Sequence, residues 1–497
     1  MSKYTYVSTG EATGKILIDG KKPIRLFGDD AIRETISDVT LDQAYVAATA
    51  PGVEDVVLTP DAHEGYGFPI GCVMTSDSCI YPSPVGVDIN CSMSLLQTDL
   101  PEEAIAEKPV RRAIIRAIEE RIPTFGRERA AHKRPNYLIQ QIEDAIVLGA
   151  TPEVAESLDF PVEWTQRCEQ ASFTGHNGTP ESLLERLEKI KAPESDIIRN
   201  YGSKLFQLGS YGGGNHFAEC EVVRLADSQK NRTTKIDGQT TAEVFGLLDG
   251  KVAFLSHCGS RGFGHSVATA QFKKLREKFE LWHIPFPGGI PELVYAPLGT
   301  QEANDYIDDM NMCANYAVVN HMVINSLILK AFQEVIPGTT GRLVYHISHN
   351  IARREYIDNR PVWVHRKGST RAFPAGHFAL KSTPFAHTGH PILLPGNPLQ
   401  GSSVMVACEN AKESFYSVNH GAGRAMSRQE TLRTLVQRDV DREFEQADIL
   451  INARQYPLDE APKAYKDFNE VLRSVELAGL AREVARLDAR FVIKDSK

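Results

Sequence analysis

Short apolar runs in this chain end repeatedly in loops rich in polar residues, and this pattern limits the folds that the chain can adopt. Val53–Leu58 leads into an Asp-Ala-His-Glu-Gly loop, Val252–Leu255 into Ser-His-Cys-Gly, and Leu343–Ile347 into Ser-His-Asn. Apolar runs of this length are typical of buried strands, and loops at strand ends commonly carry functional side chains. The pattern predicts a mixed α/β fold in which distant segments deliver polar residues to one site.

Helical patterns lie between these runs. Residues 303–334 have a long apolar pattern, and Ser427 followed by Glu430 forms a capping-box sequence that predicts the start of a helix. The expected apolar face of this second helix consists of Leu432, Leu435 and Val436.

No internal repeat, low-complexity tract or Ser/Gly linker interrupts the 497 residues. The polar stretches 126–136 and 224–240 predict surface loops or insertions. We therefore expect one large domain over residues 1–497.

Composition narrows the class of protein. The net charge of −9 and a pI near 6.0 argue against a general nucleic-acid coat protein, but not against an enzyme that holds nucleic-acid ends with a few cations. The eight cysteines form no CxxC pair, which favours reduced thiols in the cytoplasm.

No consecutive apolar run approaches the roughly 18 residues of a membrane helix, and the polar start MSKYTYVSTGEATG has no apolar signal core. We expect a cytoplasmic protein.

Several loops offer side chains that suit a divalent metal ion. A carboxylate, a thiolate and imidazoles together favour ions such as Mn, Zn, Fe or Co over Mg or Ca. Asp88 and Cys91 come from one tight segment, so both can reach one metal or a close pair that the sulfur bridges. The candidate segments are Asp88-Ile89-Asn90-Cys91, Asn215-His216, His257, His349-Asn350 and His420.

Taken singly, each of these residues is more often structural, because a buried cysteine is usually a small hydrophobe and a lone histidine a satisfied core or surface group. Their repeated occurrence in polar, glycine-rich loops favours a metal site for the set. The histidines without such a setting are interpreted as structural: His132, His176, His283, His321, His346 and His377.

Two further segments suggest phosphate binding. Gly209–Gly214 contains a glycine triplet directly before Asn215 and His216, and glycines let backbone N–H groups approach an anion closely. His365–Arg371 contains three cations, which suit phosphate oxygens, although a solvated charged turn is the ordinary alternative. The expected phosphate-binding cations are Arg366, Lys367 and Arg371.

The segment His420-Gly421-Ala422-Gly423-Arg424 places an imidazole in a glycine loop with an arginine close behind. That arrangement suits a histidine nucleophile that attacks phosphorus while the arginine holds phosphate oxygens.

The motifs have an order that characterises one family. They are DAHEGYGFPIG (61–71), PVGVDINC (84–91), GGGNHFAE (212–219), SHCGSRG (256–262), HN (349–350), HRKGSTRAFP (365–374), HGAGR (420–424) and AYKD (464–467). Together they strongly resemble the RtcB family of tRNA-splicing and RNA-repair ligases, from about residue 50 to the C terminus.

The resemblance implies a single RtcB-type α/β domain, distinct from the fold of lysine-dependent nucleotidyltransferases. It also implies two Mn ions with Cys91 in the bridging place, and it makes His420 the residue that becomes guanylylated. The implied metal ligands are Asp88, Cys91, His216, His257 and His349.

The same resemblance implies a GTP site. Asn215 and Glu219 match residues around the phosphates and ribose, and Tyr465 and Lys494 match positions that contact guanine. The implied nucleotide-binding set also includes Asn397, Gly421, Ala422, Gly423 and Arg424.

The implied activity joins RNA ends in steps. His420 attacks the α-phosphorus of GTP, and GMP then passes to an RNA 3′-phosphate formed by opening a 2′,3′-cyclic phosphate. A 5′-hydroxyl finally attacks this activated end and releases GMP. Some family members work with an accessory activator, archease, which is therefore a candidate partner.

The chain departs from the family pattern in places. Residues 395–403 differ from the usual PGS-M-G-T sequence near the guanine and ribose pocket, which leaves the nucleotide preference open, and Ser92 follows Cys91 where glycine is more usual. A KxDG match at Lys235–Gly238, typical of lysine-dependent ligases, is interpreted as an ordinary Asp-Gly turn.

Two alternative functions remain open from the sequence. A dinuclear metallophosphoesterase would explain the metal residues and the cyclic-phosphate step, and a diverged RNA-end-binding protein without ligase activity would explain the changed 395–403 loop.

Overall fold

The computed structural model describes residues 4–124, 131–192, 194–230 and 239–495. The KxDG segment at 235–238 lies outside these residues, as do parts of both predicted polar loops. The strands are β1 (Tyr6–Gly10), β2 (Thr13–Ile16), β3 (Ile24–Phe27), β4 (Val53–His63), β5 (Ile70–Ser76), β6 (Cys79–Ile80), β7 (Ser92–Pro101), β8 (Phe217–Leu225), β9 (Lys251–Cys258), β10 (Ala296–Pro297), β11 (Gly341–Ser348), β12 (Asn350–Ile357), β13 (Arg360–Lys367), β14 (Ser369–Arg371), β15 (Pro391–Asn397), β16 (Gly401–Ala407), β17 (Ser417–Asn419), β18 (Leu450–Ile451) and β19 (Ala481–Lys494).

The α-helices are spread along the chain between these strands. They are α1 (Asp30–Glu34), α2 (Asp38–Thr49), α3 (Lys108–Glu119), α4 (Ile139–Leu148), α5 (Pro152–Leu158), α6 (Pro180–Lys191), α7 (Tyr201–Leu205), α8 (Asp227–Lys230), α9 (Thr241–Phe245), α10 (Arg261–Leu281), α11 (Gln301–Val335), α12 (Arg428–Thr434), α13 (Gln437–Gln446) and α14 (Phe468–Leu477).

Two large sheets organise the strands. The seven-stranded sheet has the order β1-β2-β3-β4-β5-β13-β12, with β3 and β4 parallel and the other neighbours antiparallel. The eight-stranded sheet has the order β11-β7-β9-β8-β19-β16-β15, all antiparallel, and β18 pairs with β19 in parallel. Two short pairs, β6 with β10 and β14 with β17, complete the architecture in the described residues. The predicted mixed α/β fold is confirmed.

The eight-stranded sheet is covered on both faces, because successive side chains of a strand point to opposite sides. On β9, Phe254 packs into the largest apolar cluster with side chains from α3, α4, α10 and α11, whereas Leu255 packs into a separate cluster on the opposite face. A third cluster joins the two sheets, with Val57 and Val364 from one and Leu394 from the other.

Helix α11 is the central helix of the core, and it confirms the helix predicted over 303–334. By length and composition alone it could cross a membrane, contrary to the expectation from the sequence. However, 94% of its most apolar 18-residue window is buried inside the protein. Its hydropathy is therefore explained by packing against the eight-stranded sheet and the neighbouring helices.

The other predicted elements have mixed outcomes. The three apolar runs form β4, β9 and β11, as expected. The capping box at Ser427 is present, with Glu430 N donating to the Ser427 hydroxyl. The predicted apolar face of that helix is wrong, because α12 ends at Thr434 and both Leu432 and Val436 are 56% exposed.

A buried group of charges, which we call the arginine–glutamate cluster, links the edge of the seven-stranded sheet to neighbouring segments. Arg366 donates to both Glu355 carboxylate oxygens at 2.6 and 2.9 Å, and Arg371 contacts the same carboxylate at 2.7 Å. Glu169 lies 3.2 Å from Arg371 and 3.8 Å from Arg353. Burial by itself would raise the pKa of Glu355 and Glu169, but the facing arginines hold both at about 2.

We expect Glu355→Gln to lower the free energy of unfolding by about 3 kcal/mol or more, because it leaves two buried guanidinium groups without their shared carboxylate. Urea denaturation followed by circular dichroism measures the change. Glu188→Gln, which removes an exposed carboxylate paired with Lys191, is the matched control and should change stability by less than about 1 kcal/mol.

The sign of the pH dependence follows from the lowered pKa values. The stabilisation from Glu355 is complete above the unfolded-state pKa of about 4.3, and it is lost as the pH falls towards the folded value of about 2. The gap in stability between wild type and Glu355→Gln should therefore shrink over that range. An unchanged gap would contradict the ion-pair interpretation.

Candidate metal and nucleotide site

Strand pairing in the eight-stranded sheet brings the predicted ligands together at one end of four neighbouring strands, β11, β7, β9 and β8. Ser92, the first residue of β7, pairs with Cys258 of β9 and with Ser348 of β11. Phe217, the first residue of β8, pairs with His257. In an antiparallel pair, the first residues of one strand lie beside the last residues of its neighbour. The starts of β7 and β8 therefore lie beside the ends of β9 and β11, and the residues next to these pairs converge at that end of the sheet. They are Cys91, His216, His257 and His349, with Asp88 in the loop before β7.

The side chains meet in two groups that share the Cys91 sulfur. One group contains Cys91, His257 and His349, and the other contains Asp88, Cys91 and His216, with the possible donor atoms of each group within 4.8 Å of one another. Cys91 Sγ lies 3.1 Å from His257 Nε2 and 3.5 Å from His216 Nε2. Asp88 Oδ2 lies 2.7 Å from His216 Nε2, and His257 Nε2 lies 3.3 Å from His349 Nε2. This arrangement offers three donors to each of two neighbouring positions.

Burial favours the neutral form of two of the imidazoles, His257 and His349. Burial, together with nearby imidazoles, holds the pKa of His257 and His349 well below its usual value. The carbonyl of Tyr211 lies 2.8 Å from His216 Nδ1 and so accepts its proton, which leaves Nε2 free towards Asp88 and Cys91. Neutral imidazoles with one nitrogen fixed by a second partner are the form that binds metals.

The two asparagines of the candidate segments hold backbone near the site. Asn90 donates to the carbonyl of Ala314 in α11. Asn350 donates to the carbonyl of Asp88, and its Oδ1 accepts from Gly368 N at 2.9 Å. Both amides therefore position neighbouring loops.

His420, the predicted nucleophile, lies beside these groups with its ring centroid 4.7 Å from that of His349. Its Nδ1 lies 2.7 Å from Asp61 Oδ2 and 2.9 Å from the carbonyl of Gly368. Both partners are acceptors, so Nδ1 carries the proton and Nε2 keeps a free lone pair. The Asp61 side chain is fully buried, whereas the His420 side chain is 16% exposed. The ring is therefore held in one tautomer with some access for a ligand.

The loop around His420 is held by close backbone approaches. Gly423 has φ +76°, and a Cβ there would lie 2.4 Å from the carbonyl oxygen of Asp61. Lys466 donates through Nζ to the carbonyls of Pro60 and Ala62 at 3.0 and 2.8 Å, and its backbone N–H donates to the carbonyl of Gly423. Lys466 thus connects both sides of Asp61 to the loop that carries His420.

The residues predicted to contact guanine surround a buried carboxylate. Glu460 Oε2 accepts from the Tyr465 hydroxyl at 2.6 Å and lies 3.1 Å from Lys494 Nζ. Lys494 also donates to the carbonyl of His216 at 3.4 Å, which joins this group to the metal-type donors. Arg424 contacts Glu460 at 3.4 Å and lies over the Tyr465 ring. The structure brings these residues together on the side of the site near β8 and β19.

Glu219 and Asn215 lie at the same end of β8. Glu219 is buried opposite Val492 of β19, and burial raises the pKa of its carboxyl to about 7. Asn215 is exposed one residue before His216.

Comparison with known proteins identifies the family. The sequence profile described as RtcB, tRNA-splicing ligase RtcB, matches residues 43–495. The chain belongs to the RtcB family. It is 33% identical over 492 residues to a tRNA-splicing ligase RtcB of Pyrobaculum aerophilum, covering 95% of each chain. It is also 32% identical over 490 residues to one of Thermococcus kodakarensis, covering 95% of this chain and 94% of the other. A protein of the same description from Methanococcus maripaludis is 28% identical over 514 residues.

The segment that departs from the usual RtcB-family sequence packs against the His420 loop. Pro395 accepts a hydrogen bond from Ala422 N through its carbonyl oxygen, at 3.2 Å. Asn397 closes the turn between β15 and β16, because its Oδ1 accepts from Leu399 N and Gln400 N. The side chain of Asn397 is therefore engaged within its own turn.

The expectation that the charged segment binds phosphate is wrong for Arg366 and Arg371. Both side chains are buried and belong to the arginine–glutamate cluster. Lys367 is also buried, and its Nζ donates to the carbonyls of Tyr66 and Phe68. The three cations face the interior because β13 and β14 lie inside the fold.

Several histidines interpreted as structural have structural contacts. His321 is buried, with Ser94 2.7 Å from Nδ1 and Cys258 Sγ 3.2 Å from Nε2. His176 pairs with Asp308, and His377 stacks on Phe373. His346 is buried beside His321.

Three residues of this RtcB-family site were given no role from the sequence. Asp61 and Lys466 stand inside motifs, but their function depends on contacts with His420 and with the carbonyls around Asp61. Glu460 lies in a Pro-rich turn whose sequence carries no signal for a buried acid. The position of Asp61 at the polar end of β4 was the sequence signal that could have marked it as a site residue.

We expect Lys466→Met to lower the free energy of unfolding by about 2 kcal/mol, because two buried carbonyls lose their donor. Hydrogen exchange read by mass spectrometry should increase most in peptides that cover 60–62 and 420–423. Lys463→Met is the matched control, since Lys463 is an exposed neighbour paired with Glu443. A uniform increase over the chain, or none at 420–423, would contradict the connecting role.

Proposed function

We propose that this chain is an RNA ligase that uses GTP and Mn²⁺ to join a 2′,3′-cyclic phosphate or 3′-phosphate end to a 5′-hydroxyl end through a histidine–GMP intermediate. The observation that supports this most directly is the setting of His420. Its Nδ1 is engaged by Asp61 and the carbonyl of Gly368, and its ring lies beside His349 of the donor groups.

The chemistry of the donors fits a pair of Mn²⁺ ions. Asp88 and His216 would hold one ion and His257 and His349 the other, with Cys91 common to both, as the two three-donor groups suggest. A thiol and three imidazoles disfavour Mg²⁺. When bound, such ions neutralise phosphate oxygens and favour departure of pyrophosphate.

The first step follows from the orientation of His420. The Nε2 lone pair forms a bond to the α-phosphorus of GTP, the bond from that phosphorus to the bridging oxygen breaks, and pyrophosphate leaves. The proton on Nδ1 stays between His420 and Asp61, and the negative Asp61 carboxylate offsets the charge that the ring gains. Asp61 is a positioning residue, because it acts through His420.

The purine is proposed to contact Tyr465 and Lys494, which lie close to the metal-type donors, and Glu219 is proposed to lie beside the ribose and phosphates. Glu460 would hold the phenol of Tyr465 and the ammonium of Lys494 in place for that contact. Asn215, Asn397 and the segment Gly421–Arg424 are proposed to border the ribose and phosphates.

In the later steps GMP passes from His420 to an RNA 3′-phosphate, and a 5′-hydroxyl then displaces GMP to form the phosphodiester bond. We propose that the protein acts in the cytoplasm and that an archease-type activator is its candidate partner.

The first prediction concerns the shared sulfur. Metal analysis of purified protein should find up to two Mn²⁺ per chain, and Cys91→Ala should lose both because both donor groups use Cys91. His349→Ala should keep one ion, because the Asp88 group remains complete. Cys220→Ala, a buried cysteine of β8 outside both groups, is the control and should bind metal as wild type does. Full ligation with Mg²⁺ alone would sink the Mn assignment.

The second prediction concerns the covalent step. Incubation with α-labelled GTP and Mn²⁺, without RNA, should leave label on the protein that acid removes and alkali spares, as expected for a phosphoramidate. His420→Ala should abolish labelling while it still binds metal, and ATP should label less well than GTP. His283→Ala is the matched control, because this histidine contributes to neither donor group.

The outcomes separate the alternatives. Label on His420→Ala at the wild-type level would overturn the mechanism. Phosphate release from RNA ends without any joining or labelling would indicate the phosphoesterase, and RNA binding without either reaction would indicate the end-binding protein.

A further inference from the structure

A cavity of about 630 Å³ lies between the β12–β13 hairpin and the segment around residues 170–178. None of the five predicted metal ligands lines it. The side chains that matter for its chemistry are those of Gln170, Phe173, His176, Arg353, Arg354 and Trp363.

The cavity borders an excess of positive charge. The arginine–glutamate cluster contains three arginines and two glutamates, and Arg353 has the longest ion-pair distance, with Glu169 at 3.8 Å. Its terminal nitrogens also donate to the amide oxygen of Gln170 and to Ser348 Oγ, and its guanidinium lies over the Phe173 ring. Arg353 is only 7% exposed, and its Nε has no hydrogen-bond partner among the described residues. A buried N–H without a partner is costly, so the positive charge of Arg353 is only partly offset and adds to the positive potential of the cavity.

The cavity is lined by two arginines besides Arg353, namely Arg354 and Arg371, and by His176. Burial and repulsion from Arg371 lower the pKa of Arg353 to about 9, so it is still charged at neutral pH. Arg354 is exposed and forms no ion pair with any residue that the structure describes. His176 uses Nδ1 towards Asp308, which leaves its Nε2 for another partner. Asp77 is the acidic residue of the rim, and it is exposed.

The cavity is connected to the metal-type donors through β12. One terminal nitrogen of Arg353 lies 3.5 Å from Ser348 Oγ, and His349 is the next residue. From His349 to Arg353 the chain advances four residues, or about 13 Å along a strand. A stacked nucleic-acid strand advances about 3.4 Å per nucleotide, so a strand of about four nucleotides spans the same length as this piece of chain.

We propose that this cavity binds a backbone phosphate of the RNA strand whose end is held at the His420 site, with Arg354 as the phosphate ligand and Trp363, its neighbour across the β12–β13 pair, as a stacking surface for a base. The inference rests on the proposed function, since it takes RNA as the substrate. An aromatic face next to cations is the usual composition of a site for single-stranded nucleic acid. The net charge of −9 makes such a local positive site necessary for a polyanion to bind.

Binding of single-stranded RNA with a 3′-phosphate tests the proposal in the full-length protein, by fluorescence anisotropy without GTP. Wild type should bind an RNA of about ten nucleotides more tightly than one of about two, because only the longer strand reaches the cavity. Arg354→Ala should weaken binding of the longer RNA by about tenfold, with little effect on the shorter one. The slope of the logarithm of the binding constant against the logarithm of salt concentration should become shallower by about 0.7, as the loss of one phosphate contact predicts.

Two variants complete the design. Trp363→Leu should weaken the longer RNA by about fivefold or more, as loss of one stacked base predicts. Arg360→Ala is the matched control, because Arg360 is an exposed arginine of the same hairpin that pairs with Glu54 and does not line the cavity. Its affinity for both RNAs should equal that of wild type.

Unchanged affinity of Arg354→Ala for the longer RNA, or an equal loss for both lengths, would overturn the proposal. An effect of Arg354→Ala on binding of inorganic phosphate but not of RNA would overturn it too, in favour of a small-anion site. Failure of the proposed function is distinct: wild type would then take no label from GTP, while the dependence on RNA length would still decide whether the cavity binds the strand.

Discussion

The candidate site depends on the pairing register of β7 with its two neighbours. Ser92 lies opposite both Cys258 and Ser348, and this register places Cys91 beside His257 and His349. A shift of one residue would turn every side chain of β7 to the opposite face and would separate the sulfur from both imidazoles. The apolar packing on both faces of the eight-stranded sheet holds this register. The relative positions of the donor groups therefore depend on the packing of the core.

Buried carboxylates have different partners in the arginine–glutamate cluster and at Asp61. In the arginine–glutamate cluster, carboxylates and guanidinium groups largely neutralise one another, and the pairs join β12, β13 and β14. At Asp61, the carboxylate instead faces the imidazole of His420, while Lys466 is occupied by the carbonyls of Pro60 and Ala62. The first arrangement links neighbouring strands, whereas the second holds the His420 ring in one orientation. Arg353 has the longest ion-pair distance in the cluster and lines the neighbouring cavity.

Much of the architecture could be predicted from local patterns. The strands β4, β9 and β11, the helix α11 and the capping box at Ser427 follow from apolar runs and from cap chemistry, which act between near neighbours. The apolar face expected around Leu432 was wrong because helix length and packing partners are decided by the rest of the fold. Arg366 and Arg371 resemble a surface run in sequence, but their partner Glu355 lies on an adjacent strand and draws them inside.

The sequence by itself determined the chemical types of the site residues and the family: a thiol, a carboxylate, imidazoles and a histidine in a glycine loop. These properties are local, since they depend on residue identity and short-range pattern. Only the tertiary structure decided which atoms meet. These contacts join residues far apart in the chain. They give the shared position of Cys91, the orientation of His420, the connection of Lys466 to both sides of Asp61 and the pairing of Arg353 with Glu169 and Gln170. Such contacts follow from how strands pair and how buried charges find partners.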